Sequence, residues 1–160
     1  MNARVNDPHR AQRELLSGSQ FFAGLSPALL DELVAASRVL ELPANQTLFQ
    51  AGQPIREAHL LFSGSVKRST TTPGGTTKVI ELVQNEQLLG LGEIFGATHY
   101  ASTCSSITQT LLVAINIRKL REATQNHHEL SRRIITALAR RQCATEFDIT
   151  GHHYGLTGAQ

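Results

Sequence analysis

The chain has no tryptophan, two tyrosines and six phenylalanines. Any core must therefore be filled mainly by Leu, Ile and Val. Cysteine is equally scarce. Cys104 and Cys143 lie far apart, without CxxC or other metal-ligand spacing. Two thiolates cannot hold an iron–sulfur cluster, which takes about four. They read as buried or half-buried thiols in a reducing compartment. No stretch approaches the roughly 20 apolar residues of a membrane span, and Met1 to Arg13 lack the apolar core of a secretory signal. The expected setting is cytoplasmic, with no membrane partner. Charge of one sign is not concentrated either: 15 basic residues face 13 acidic ones, for a net +2. A nucleic-acid surface normally shows a basic patch, so any DNA contact falls to residues outside this chain. There is no nucleophile–base motif, no phosphate-binding Walker loop and no metal triad. Glu93 and His99 could be drawn as an acid/base pair, but loop carboxylates and histidines are common. The chain is not read as an enzyme.

What is present fits one domain: 160 residues, 41% hydrophobic, enough for a real core. Ser26-Pro27 is an N-cap followed by proline at the first helical position. Pro27 to Ser37 then places Leu29, Leu30, Leu33 and Val34 on one helical face. From about Val39 the pattern changes to short segments punctuated by turns: Pro43-Ala44-Asn45, Ala51-Gly52-Gln53-Pro54, and the hairpin loop Thr71 to Thr76. His59 to Arg68 alternates in part around Gly64, Lys78 to Val83 is rich in Val, Ile and Leu, and Tyr100 to Thr108 and Thr110 to Ile117 read as two more strands. Short, closely spaced strands imply an antiparallel sandwich or barrel. Helical spacing returns at Arg118 to Ala123 and from His128 onward, where Leu130, Ile134, Ile135, Leu138 and Cys143 mark apolar positions. The fold class is α+β, with the helices segregated to the ends.

Five fragments carry a family resemblance: "FFAGLSPALLDEL" (Phe21 to Leu33), "LPANQTLFQAGQP" (Leu42 to Pro54), "HLLFSGSVKRS" (His59 to Ser69), "GLGEIFG" (Gly90 to Gly96) and "ELSRRIITALARR" (Glu129 to Arg141). In this order and spacing the chain resembles the cyclic-nucleotide-binding-domain superfamily in its CRP/FNR branch of transcription regulators. The resemblance implies an eight-stranded jelly roll (an antiparallel double-stranded β-helix) with short flanking helices and a long C-terminal dimerisation helix. It implies a sensor domain over 1–126, the long helix over 127–150, and a hinge over 151–160, with Thr157 capping the next helix. The DNA-binding helix-turn-helix domain of the family would follow, outside this chain.

The effector pocket implied by the resemblance is formed by Gly90, Leu91, Gly92, Glu93, Tyr100, Ala101, Ser102 and Thr103. Cyclic-nucleotide binders place a short helix and an arginine on the cyclic phosphate, and a glutamate on the ribose. Here "YAST" aligns with the family's "RAAT", so Tyr100 stands where the arginine belongs. Ungapped counting puts Leu91 at the glutamate position; a two-residue deletion restores Glu93. Either way the phosphate loses its cation, and a charge-assisted pair contributes roughly 1.5–3 kcal/mol. Arg68, Arg118 and Arg121 are the available substitutes, though nothing in the sequence requires them. cAMP is therefore not expected as the effector.

Tyr100 ahead of a small-residue strand, the "SGSVK" of Ser63 to Lys67 and Asn85-Glu86 are similar to the dissimilatory nitrate respiration regulators. That branch is regarded as sensing nitric oxide through haem, which makes haem the candidate cofactor and His59 and His99 the candidate axial ligands. The FNR branch proper uses N-terminal cysteines, and none precedes Cys104. Ile135, Leu138, Gln142, Thr145 and Ile149 recur at spacings of three and four, the pattern of a two-helix seam, so a homodimer through this helix is expected. A stand-alone module without a DNA role is the remaining alternative.

Overall fold

The structure, a computed structural model, describes residues 8–158, with side chains as far as Ala144. Two helices open the chain. Helix α1 (Arg10–Gly18) has no clear apolar periodicity in the sequence, because it buries only Leu16. It is held from outside: Arg13 donates to Asp31 at 2.6 Å, and Gln12 donates to the Ser37 carbonyl at 3.2 Å. Helix α2 (Pro27–Ala35) follows the expected cap, with the Ser26 side chain accepting from the Leu29 N–H and Pro27 at the first position. Leu29, Leu33 and Val34 are its buried face.

Eight strands follow: β1 (Ser37–Leu42), β2 (Thr47–Phe49), β3 (Glu57–Ser63), β4 (Val66–Thr71), β5 (Thr77–Val83), β6 (Gln87–Leu88), β7 (Thr103–Ser106) and β8 (Thr110–Asn116). They pair antiparallel in a nested order: β1 with β8, β2 with β7, β3 with β6, and β4 with β5. That nesting folds one long hairpin into two four-stranded sheets, β1-β8-β3-β6 and β2-β7-β4-β5. It is the jelly roll implied by the resemblance.

The two sheets differ in cover. Helices α1, α2 and α4 (Ile117–Asn126) pack against the first sheet. Its central strands are accordingly buried on both faces: Ala58 to Leu61 and Leu112 to Ile115 are unbroken buried runs, the pattern of a doubly covered sheet. The edge strand β5 is open by contrast, with Val79, Ile80 and Leu82 between 46% and 62% exposed. Between β6 and β7 the chain leaves the sheets for a short helix, α3 (Leu91–Gly96). The strand expected from Tyr100 starts only at Thr103, because the Tyr100 backbone bonds to the preceding turn instead: its N–H donates to Gln53 and its carbonyl accepts from Gly52.

Gly64 turns β3 into β4 at φ +88°, and a Cβ there would lie 2.3 Å from the Gln109 carbonyl oxygen. Both the left-handed backbone and the backbone contact oppose any side chain. Gly64→Ala is expected to lower stability by about 2 kcal/mol, read from the urea midpoint; an unchanged midpoint would show that the turn relaxes freely.

Helix α5 (His128–Gly158) begins where its periodicity begins but runs through Gly151 without a break. Of the hinge expected over 151–160, the part from Gly151 to Gly158, with Thr157, is helical, and residues 159–160 lie outside the described residues. Gly151 and Gly155 each cost the helix only about 1 kcal/mol, and no proline lies between Gly151 and Gly158 to end it. Leu130 and Ile134 are buried against the roll, whereas Ile135 is 64% exposed. Cys143, read as apolar cover, is exposed; Cys104 is buried. Of the expected seam, Leu138 is half-buried and Gln142 exposed. The side chains of Thr145 and Ile149 lie outside the described residues.

Candidate functional site

Gly90 enters α3 in the left-handed conformation, φ +60°. This turns the chain so that Leu91 and Ile94 are buried and Glu93 reaches inward. The C-terminal end of α3 is fastened by Arg121 on α4, whose guanidinium donates to the carbonyls of Ile94 (2.7 and 3.1 Å) and Ala97 (3.0 Å). Cations at a helix C-terminus complement its dipole. Arg121 is thus a brace for α3, and Arg118 is exposed.

The third candidate cation, Arg68, is the centre of the site. On β4, Val66 and Arg68 are buried while Lys67 between them is exposed, so period-2 alternation drives a guanidinium inward. Its Nε donates to Ser102 Oγ at 3.2 Å, one terminal nitrogen pairs with Glu81 at 2.7 Å, and the other pairs with Glu93. Glu93 also accepts from Ser102 Oγ at 2.9 Å and from the Ala101 N–H at 3.1 Å. Glu81 in turn accepts from Arg141 on α5 at 2.7 Å, and Arg141 donates to Gln87 at 3.3 Å. Two arginines and two glutamates make a network of zero net charge joining β4, β5, α3 and α5. Above it lies a cleft of about 360 Å³, lined by Gly90, Leu91, Gly92 and Glu93 on one side and Leu138, Arg141 and Gln142 on the other.

Six of the eight residues expected at the pocket therefore meet here: Gly90, Leu91, Gly92, Glu93, Ala101 and Ser102. Tyr100 and Thr103 do not. Thr103 Oγ1 accepts from the Ala51 N–H at 3.1 Å. Tyr100 is buried, with its ring stacked on Phe49 at 3.8 Å and 10°, and its hydroxyl donating to the Glu57 carbonyl at 2.8 Å. Burial, followed by the charges of Glu93 and Glu57, raises its pKa above the ordinary phenol value. Burial likewise pushes the Cys104 thiol up to about 12, so it is not a thiolate at neutral pH. Sequence reasoning placed Arg68 only among three substitutes and missed Glu81 and Arg141. A charged residue on the inward face of a strand demands a buried counter-charge, and that signal was available for Arg68. The partners were not readable, since they come from another strand and a distant helix.

The two candidate haem ligands are separated by environment. His59 is 6% exposed, stacked on Phe49 at 6.0 Å, and opens onto a cleft of about 330 Å³ that His99 does not line. His99 is exposed and shares a hydrogen bond with Thr98 Oγ1 at 2.9 Å. The two candidate ligands therefore do not face a common cavity.

The sequence model of the family described as "Cyclic nucleotide-binding domain" matches residues 39–127. The chain belongs to the cyclic nucleotide-binding domain family. Among curated proteins, this cyclic nucleotide-binding domain is 25% identical over 128 residues to a "CRP-like cAMP-activated global transcriptional regulator" from Mycobacterium tuberculosis, covering 80% of this chain and 57% of that protein. The chain thus spans little more than half the length of that relative. Among solved structures, it is similar to the sensor domain of the transcriptional regulator DNR from Pseudomonas aeruginosa, with a TM-score of 0.71 and 25% identity over 83% of this chain and 89% of that one. A cAMP-binding acyltransferase from Mycobacterium smegmatis shares the fold, with a TM-score of 0.72 and 18% identity over 85% of this chain and 42% of that one. The family relation to CRP-like regulators agrees with the sensor domain of a CRP/FNR-type regulator. Among the described residues no helix is long and apolar enough to cross a membrane.

Proposed function

We infer that this chain is the effector-sensing and dimerisation part of a CRP/FNR-type transcription regulator, and that its pocket does not take cAMP in the usual family manner. The observation that carries the second half is the state of the pocket's cations. Tyr100, at the arginine position, turns its hydroxyl to the Glu57 carbonyl, and Arg68 is already paired with Glu81 and Glu93. A cyclic phosphate entering this cleft finds no uncommitted positive charge, and must break a buried ion pair to obtain one. The name of the mycobacterial relative refers to cAMP activation, so the difference is one of this chain's residues, not of the fold.

The effector pocket is assigned to Gly90, Leu91, Gly92, Glu93, Ala101 and Ser102, with Arg68. Its coupling to output runs through Arg141: an effector that displaces α3 moves Glu93 off Arg68, and the same network holds α5. The exposed Ile135 is available for a helix-to-helix contact with a second copy. DNA would be read by a separate domain outside this chain. The likeness to the DNR sensor domain supports this arrangement over a module with no DNA role, and over the enzymatic output of the acyltransferase, which shares only the fold.

The test is calorimetric titration of the purified chain with cAMP and cGMP. The expected result is no saturable heat at millimolar nucleotide; a micromolar Kd would overturn the reading. Hemin added to the same preparation is expected to give no saturating Soret band. A band saturating at one haem per chain and lost in His59→Ala or His99→Ala would establish the haem-dependent alternative instead.

A further inference from the structure

The cleft beneath His59 shares no lining residue with the cleft between α3 and α5, and nothing in the cassette network uses it. Leu40, Leu42 and Leu48, with Phe49, form its apolar wall. His59 is the unusual member. It interrupts the apolar run of β3 at Ala58-His59-Leu60-Leu61, is more than nine-tenths buried, and makes no side-chain hydrogen bond among the described residues. No fully enclosed side-chain nitrogen or oxygen lacks a partner there. Neither ring nitrogen of His59 is therefore fully enclosed, and the residue lines the cleft. An imidazole in this position has one N–H donor and one free acceptor when neutral.

The rim supplies the opposite end of a ligand. Arg38 is committed to Glu57 through two hydrogen bonds of 2.9 and 2.8 Å. Arg56, which also lines the cleft, is exposed and makes no ion pair among the described residues. The unmatched charge at the mouth is thus a single positive one. An apolar wall, an unpartnered imidazole inside and one free guanidinium at the mouth are complementary to a molecule with the reverse order of groups.

We propose that the His59 cleft is a second ligand site, for a small monocarboxylate with an apolar ring and a hydroxyl at its far end. The carboxylate pairs with Arg56, the ring lies against Leu40, Leu42 and Leu48, and the hydroxyl donates to the free His59 nitrogen. The volume of about 330 Å³ suits a single-ring acid. Burial holds the His59 pKa down to about 4, which keeps the imidazole neutral and able to accept. The site stands independently of what the α3 cleft binds. It also sits against both ends of the cassette: the His59 carbonyl accepts from Leu89 N–H at 2.9 Å, one residue before Gly90, and Tyr100 is part of the lining.

The experiment uses 4-hydroxybenzoate as the probe and saturation-transfer NMR on the purified chain, with benzoate as the analogue lacking the hydroxyl. Transfer to 4-hydroxybenzoate is expected, with about tenfold weaker binding for benzoate, for Arg56→Gln and for His59→Phe, one charge-assisted or neutral hydrogen bond each. Arg56 is exposed, so its variant folds whatever happens at His59. Absence of transfer at millimolar probe would overturn the proposal. So would binding that is undiminished in Arg56→Gln, because the probe would then occupy another surface.

Discussion

Replacing Arg68 by Met is expected to lower the stability of the domain by about 3–5 kcal/mol at neutral pH. The side chain is 10% exposed and its partner Glu93 is 13% exposed, so solvent does little to screen what is left behind. Removing the guanidinium strands two carboxylates unequally. Glu81 keeps Arg141 at 2.7 Å, whereas Glu93 keeps only Ser102 Oγ and the Ala101 N–H. A buried carboxylate without a cation is the costly outcome, more than the loss of the pair's own attraction. The double variant Arg68→Met with Glu93→Gln should therefore recover part of the loss, because the amide carries no charge to desolvate. A domain of this size has only about 5–15 kcal/mol in total, so the single variant sits near the edge of folding. Urea midpoints of the wild type, both single variants and the double variant decide it. A loss below about 1 kcal/mol for Arg68→Met would mean that the ion pair behaves as a surface pair, and the neutral-network account of the pocket would fail.

The same network explains what was legible in the sequence and what was not. The capping serine of α2, the strand-rich middle and the start of α5 are local signals: a cap, turn residues, a change of period. They were readable and they stand in the structure. Helix α1 was invisible because it buries one leucine and is held by Arg13 and Gln12 reaching to other elements, so its stability is not written in its own periodicity. The helix through Gly151 was misread for the converse reason, since a glycine weakens a helix without ending it. At the site, motif spacing brought six residues to one place, because Gly90 to Glu93 and Ala101-Ser102 are adjacent in the chain. Tyr100, which the resemblance puts at the pocket, takes the apolar stack with Phe49 instead, because an aromatic ring prefers that contact to the polar cleft. Glu81 and Arg141, 60 residues apart, meet only through the nesting of β4 with β5 and the return of α5. Such a pairing has no signature short of the fold itself.

The largest pH effect on stability is expected between pH 6.5 and 4, and its source is His59. Burial lowers its pKa from the ordinary 6.5 to about 4, with the charge of Glu57 opposing the shift and Arg38 adding to it. The folded state thus refuses a proton that the unfolded chain accepts. Where the unfolded state binds more protons, stability rises with pH. The contribution of His59 is fully present above pH 6.5, declines as the pH falls below that value, and is lost once the folded form also takes up the proton near pH 4. A shift of this size corresponds to about 3 kcal/mol. Glu57 acts with the same sign at lower pH: hydrogen bonds from Arg38 hold its carboxyl below 4.5, so its contribution disappears as acid protonates it. His59→Phe retains an aromatic ring beside Phe49 and removes the titration. Between pH 7.5 and 4.5 the wild type should lose about 2–3 kcal/mol more than this variant, measured as the difference in their urea unfolding free energies. Equal losses in the two proteins would show that His59 titrates as an exposed histidine does, with its ring outside the apolar stack.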